Sequence, residues 1–261
     1  MKLIRFGIAV LSLAALMLAA CVTQTKGHVP PAEKPQEASS LNVQLGIGYL
    51  RQGDWQSARV KLERAIEQNP GNAVAHRALG LVYEKLGDIE AAERNYRRAV
   101  SLAPKDPDTL NSLATFLCRD QDRQDEAMEL FDTALSIPLS KAFSNKAMLY
   151  TNAGICAKGL DLSRSEDYLR AALAEDPQFA EALLQVADVA YQRGNYLQSR
   201  AFLQRHLAVA APSPGALWLG YRVEKAMGDF KASDQFGNRL RKAFPESVET
   251  RLLLEQLRDA G

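Results

Sequence analysis

Histidine, cysteine and tryptophan are scarce in this chain: three, three and two in 261 residues. His28, His76 and His206 have no cysteine or acidic neighbour at the spacing zinc requires, so no metal site is expected. No glycine-rich loop of the Walker type is present to cradle a phosphate. An excess of either charge is also missing. The 32 basic residues almost balance the 31 acidic ones at a net +1, which removes the electrostatic case for nucleic acid. β-Branched residues are few beside alanine, leucine, arginine and glutamate, a composition that favours helix. These absences leave no enzymatic constellation, and neither a cofactor nor a small-molecule substrate is expected.

What the chain does have is a period. Leu79-Gly80, Tyr83, Gly87, Ala92, Tyr96, Ala99 and Pro104 repeat the series Leu45-Gly46, Tyr49, Gly53, Ala58, Leu62, Ala65 and Pro70 at an offset of 34 residues. That period, with small and large residues at these places, is the signature of the tetratricopeptide repeat, a helix–turn–helix hairpin. The small residues mark where the two helices of a hairpin touch. The prolines end the second helix, because proline lacks an N–H and clashes with the preceding turn. Weaker matches follow in phase, which predicts an all-α, right-handed superhelical solenoid of six repeats. These lie near 39–72, 73–106, 107–140, 147–179, 180–212 and 213–246. The turn Asp120 to Asp125 in repeat 3 is one residue longer than its counterparts, and Pro138 to Asn145 is a looser connection. Residues 247–261 are expected to cap the array through a helix with Leu252, Leu253 and Leu257 on or near one face and a polar outer side.

The first twenty residues are an address. Lys2 and Arg5 precede an apolar run, Ile8 to Leu18, too short to span a bilayer comfortably. Leu18-Ala19-Ala20-Cys21 resembles the bacterial lipobox, which implies cleavage before Cys21 and acylation of that cysteine. Cleavage would remove Lys2 and Arg5 and leave a net charge of −1. Val22 stands where those signals carry an aspartate for inner-membrane retention, so the outer membrane, facing the periplasm, is the expected location. The alternative is an ordinary secretory signal cut nearby. Residues 21–38, with Pro30, Pro31 and Pro35 and no apolar periodicity, are expected to form a flexible tether.

Lipobox, tether, six repeats and terminal helix in this order resemble the type IV pilus biogenesis and stability lipoprotein, the pilotin of the pilus secretin. Local strings carry the resemblance further: Gln44 to Leu50, Leu110-Asn111 with Phe116-Leu117-Cys118, Leu217-Trp218-Leu219-Gly220, and Phe244-Pro245-Glu246-Ser247. Repeat 3 departs from the family's Asn-Asn-Tyr-Gly, reading Asn111-Ser112-Leu113-Ala114. The resemblance implies a non-enzymatic protein that helps the secretin subunit reach the outer membrane and assemble there. Its expected partners are that subunit and, through Cys21, the membrane lipid. The alternative is a different periplasmic repeat adaptor, serving outer-membrane proteins or the cell wall.

The first helix of each repeat should line the inner side of the superhelix. At the inward offsets lie Val43, Ile47, Leu50 and Arg51 in repeat 1, and Arg77, Leu81, Glu84 and Lys85 in repeat 2. Repeat 3 contributes Asn111, Thr115 and Arg119. An apolar strip of Val43, Ile47, Leu50 and Leu81 edged by cations suits an amphipathic partner segment. The other reading is that the strip is covered by the tether or is core at a shifted register. Cys118 and Cys156 are the two thiols left once Cys21 is acylated. The family often carries cysteine at both places, which implies a pair. Adjacent first helices, with Cys156 midway along its own, could bring them within bonding reach in an oxidising compartment. Two buried free thiols are the alternative.

Overall fold

The computed structural model describes residues 35–138 and 146–259. The signal segment, Cys21, His28 and the tether to residue 34 lie outside the described residues, as do 139–145 of the looser connection. The described residues form thirteen α-helices and no strand. Six are first helices: α1 (Pro35–Gln52), α3 (Ala73–Leu86), α5 (Pro107–Leu117), α7 (Lys146–Ala157), α9 (Ala180–Gln192) and α11 (Pro214–Ala226). Their partners are α2 (Trp55–Gln68), α4 (Ile89–Leu102), α6 (Gln124–Ser136), α8 (Leu162–Glu175), α10 (Tyr196–Val209) and α12 (Phe230–Ala243). A single helix, α13 (Val248–Asp259), closes the row.

Local chemistry sets these boundaries. Asp54, Asn72, Asp88, Asp106, Asp161, Ser213 and Asp229 each cap a helix start by accepting from a backbone N–H of the first turn. Gly87 ends α3 at φ +83°, a left-handed conformation that side chains resist. Helix α1 begins at Pro35, so 35–38, expected to belong to the tether, are part of the first helix. Proline is tolerated in a first turn. Ala38 and Ser39 are buried, and the Ser39 hydroxyl donates to the Ala65 carbonyl at 2.8 Å, which anchors this extra turn.

Within each hairpin the helices touch at the small residues. A Cβ on Gly80 would lie 2.9 Å from the Tyr96 ring, and one on Gly46 would lie 2.6 Å from Leu62 Cγ. Where the second helix supplies serine, the hydroxyl finds a partner across the contact. Ser165 donates to the Gly154 carbonyl and Ser199 to that of Ala187, both at 2.7 Å. These buried polar atoms are thereby satisfied.

Each first helix also touches the next first helix, from α1 through to α13, whereas successive second helices make no comparable contact. The stack therefore curves, with first helices on its inner side. Repeat 3 uses its extra turn residue as a 3-10 turn, Gln121–Arg123, which delivers Arg123 onto repeat 2. The cap differs from expectation. Leu253 is buried, but Leu252 and Leu257 are 41% and 43% exposed, and so is Leu254 at 48%. Leu254 occupies the place that Gly80 or Gly220 holds in a hairpin, directly after the buried leucine. A leucine there fills the space a second helix would need. The outer side of α13 therefore remains partly apolar.

Candidate protein-docking groove

A cleft of about 600 Å³ opens on the inner face of repeats 1 to 3. Its apolar end is formed by Ile47 and Leu50 of α1 and Leu81 of α3, with Trp55 from the start of α2. Arg51, Arg77, Lys85 and Arg119 stand around it, together with Glu84. Asn111, Ser112 and Thr115 of α5 and Asn152 of α7 make the opposite end polar. Ten of the eleven residues expected on this surface thus line one cleft.

Val43 is the exception. It is 6% exposed and belongs to the core cluster with Ala75, Ala78 and Leu79 of α3. On α1 it points between the first two repeats and away from the cleft, so its apolar character serves packing. Expectation missed Trp55, Ala78, Tyr96, Ser112, Phe116 and Asn152, all of which line the cleft. Ala78, Ser112 and Asn152 each lie two residues before the small contact residue of their repeat, and that shared offset was available in the sequence. Trp55 was not, because it belongs to a second helix and reaches in from the turn.

The charges of the cleft are unequal. Glu84, its acidic member, has a side chain only 8% exposed. It accepts from the Tyr96 hydroxyl at 3.2 Å and pairs with Arg119 at 2.5 Å. Burial, and then the Glu84 charge, hold the Tyr96 phenol well above the ordinary tyrosine range. Arg51, Arg77 and Lys85 have no carboxylate partner among the described residues. Arg77 Nε and Thr115 Oγ1 are buried and have no hydrogen-bond partner there. At the polar end, Asn152 donates to Asn111 Oδ1 at 3.0 Å and ties α7 to α5.

The inner face of repeats 4 to 6 is different, since its charges answer one another. Lys158 Nζ lies 2.8 Å from Asp188 and 2.9 Å from Gln185. Arg222 approaches the same Asp188 at 3.6 Å, and its guanidinium lies 4.6 Å from the Tyr191 ring and 5.6 Å from that of Trp218. This ladder joins three repeats and leaves the open, unneutralised surface in the first half of the array.

Cys118 and Cys156 are joined as a disulfide, with Cα atoms 5.6 Å apart. Cys118 caps α5, and Cys156 is the penultimate residue of α7 rather than midway along it. Both therefore sit at the same end of adjacent first helices. The bond spans 38 positions, including 139–145, and locks repeat 3 to repeat 4 beside the groove.

A curved stack of helical hairpins with a cleft on its inner face is a protein-binding scaffold. The chain belongs to the tetratricopeptide-repeat family, whose profile matches residues 43–107, 82–143 and 158–216. It is 26% identical over 243 residues to the type IV pilus assembly protein PilF of Pseudomonas aeruginosa, covering 92% of this chain and 95% of that one. The crystal structure of PilW, a widely conserved type IV pilus biogenesis factor, superposes with a TM-score of 0.75 at 28% identity. It covers 83% of this chain and 98% of its own. The structure of Pseudomonas aeruginosa PilF gives a TM-score of 0.73 at 25% identity, over 85% of this chain and 99% of that one.

Proposed function

We propose that this protein acts in type IV pilus biogenesis as a lipid-anchored pilotin. It takes up the secretin subunit in the groove of repeats 1 to 3 and promotes its multimer assembly at the outer membrane. The observation that carries the reading is the similarity to two pilus biogenesis proteins over most of both chains, joined to an open groove on the inner face. Apolar residues at helical spacing on a partner would seat against Ile47, Leu50 and Leu81, as amphipathic segments do in helix-lined grooves. Cys21 would supply the membrane anchor through its acyl chains.

Deletion of the gene, followed by complementation with wild type or Cys21→Ala, tests the reading. Loss of heat-resistant secretin multimers and surface pili on deletion is expected, with rescue by wild type. Cys21→Ala should fractionate away from the outer membrane and fail to rescue. Secretin multimers at wild-type level in the deletion strain would remove the proposed role. Full rescue by an outer-membrane-associated Cys21→Ala would remove the anchor.

A further inference from the structure

We infer that the groove reads a carboxylate: its occupant is an amphipathic segment of another protein that carries acidic side chains beside its apolar face. The proposal rests on the groove being a docking surface and adds the chemistry of what docks.

Three observations point the same way. Arg51, Arg77 and Lys85 ring the cleft without a carboxylate partner among the described residues, while Lys158 and Arg222 farther along the inner face both reach Asp188. Glu84 does not neutralise them, because Arg119 and Tyr96 already hold it. Arg77 Nε and Thr115 Oγ1, both at the cleft, are buried donors with nothing to bond. Such groups are costly unless a ligand or water meets them. An aspartate or glutamate side chain offers two acceptor oxygens, and a guanidinium matches that geometry with parallel N–H donors. A leucine or phenylalanine alone would bury the apolar end and leave the donors unanswered.

The protein's own tether is a poor occupant. Between Val22 and Lys34 it carries Lys26 and Lys34 against the single acid Glu33, so it brings further positive charge to a positive cleft. Charge complementarity therefore selects an acidic segment from elsewhere.

The test uses the mature protein and three fluorescein-labelled synthetic peptides sharing one pattern of leucines at helical spacing. Glutamates, glutamines or lysines fill the positions between. The glutamate peptide should bind at least about ten-fold more tightly than the glutamine peptide, the range expected of a hydrogen bond to a charged group. The lysine peptide should not bind. Arg77→Gln should collapse the glutamate-to-glutamine ratio to near one, and Arg77→Lys should keep part of it. Arg51→Gln and Lys85→Gln remove more exposed cations and guard against a fold defect in the first variant; each should lower the ratio with the circular dichroism spectrum unchanged. Equal binding of glutamate and glutamine peptides overturns the proposal. So does a dimer in sedimentation that Leu81→Glu abolishes, since a second copy would then occupy the groove. Secretin binding that is insensitive to both Arg77→Gln and Lys85→Gln also overturns it while leaving the pilotin reading intact. Binding of the glutamate peptide without any binding of the secretin subunit supports the carboxylate reading and removes the pilotin assignment instead.

Discussion

Arg123 holds the Glu93 carboxylate with both terminal nitrogens, each at 2.9 Å, across the boundary between repeats 2 and 3. The same guanidinium reaches Glu126 at 2.9 Å, and Arg97 bonds both acids at 2.7 Å. The bidentate pair exists because repeat 3 has a longer turn that lifts Arg123 into place. Inter-repeat contacts decide the stability of a solenoid, so an ion network at one joint has a direct effect on the whole.

This network predicts acid sensitivity. Hydrogen bonding from Arg123 lowers the Glu93 carboxyl to about 2, against an ordinary 4.5, and Glu126 is lowered chiefly by Arg97. Folded values below unfolded ones mean that the stabilisation is complete above about 4.5. It is lost as pH falls from there toward 2. Glu93→Gln should remove about 1 kcal/mol at neutral pH, a modest figure because the side chains are partly solvated, and should flatten stability between pH 5 and 3. Denaturant melts of both proteins across that interval check it. Parallel curves would show the network to be neutral.

The disulfide yields a second expectation. Thiol titration of the denatured, unreduced mature protein should find no free thiol from Cys118 or Cys156. Removing the bond, by reductant or by the Cys118→Ser, Cys156→Ser double variant, should cost about 3 to 4 kcal/mol on the chain-entropy estimate for a loop of this length. A fall of roughly ten degrees in Tm follows for an array of this size. Proteolysis between the bonded cysteines should accelerate once the bond is gone, because the third and fourth repeats then lose the cross-link between their first helices.

The hairpin contact gives a third. Gly80→Ala places a Cβ 2.9 Å from the Tyr96 ring, which is buried and hydrogen-bonded to Glu84 and so has little room to shift. The expected cost is about 1 to 3 kcal/mol. Leu254→Ala, at the matching offset of the unpaired α13, should cost under about 1 kcal/mol, because Leu254 is half exposed. Equal losses would mean that α13 is as tightly packed as a full repeat.

Much of this was legible because repeat proteins reduce folding to nearest-neighbour contacts. Gly46, Ala58, Leu62 and their counterparts fixed both the hairpin and its period. The groove was legible for the same reason: inward offsets recur, so Ile47, Leu81 and Thr115 follow from counting. Counting failed where an element's edge moved. Val43 lies on the turn nearest repeat 2 and is drawn into its core. Cys156 lies near a helix end because α7 stops at Ala157, short of the expected length. Trp55 enters the cleft from outside the counted helices. The cap misled in another way: three leucines signalled a buried face, but a lone helix has only one neighbouring repeat against which to bury them.

The groove itself gives the last prediction. Leu50 is partly exposed and Leu81 is 37% exposed, so both face the cleft from surfaces that water already reaches. Leu50→Glu and Leu81→Glu should leave the helical spectrum intact, since neither carboxylate would be fully buried. Each should weaken capture of the secretin subunit by at least about ten-fold, the effect of placing a charge where a partner's apolar side chain must seat. Val43→Glu is the contrasting variant. Val43 is 6% exposed inside the shared core of repeats 1 and 2, so an unpaired carboxylate there should unfold the first hairpin. Secretin pull-down, read beside circular dichroism, separates the outcomes. Binding lost with helicity kept at Leu50 and Leu81, and helicity lost at Val43, is the expected pattern. Loss of helical signal at all three positions would make the whole strip core. Undiminished binding in the Leu50 and Leu81 variants would move the partner to another face of the solenoid.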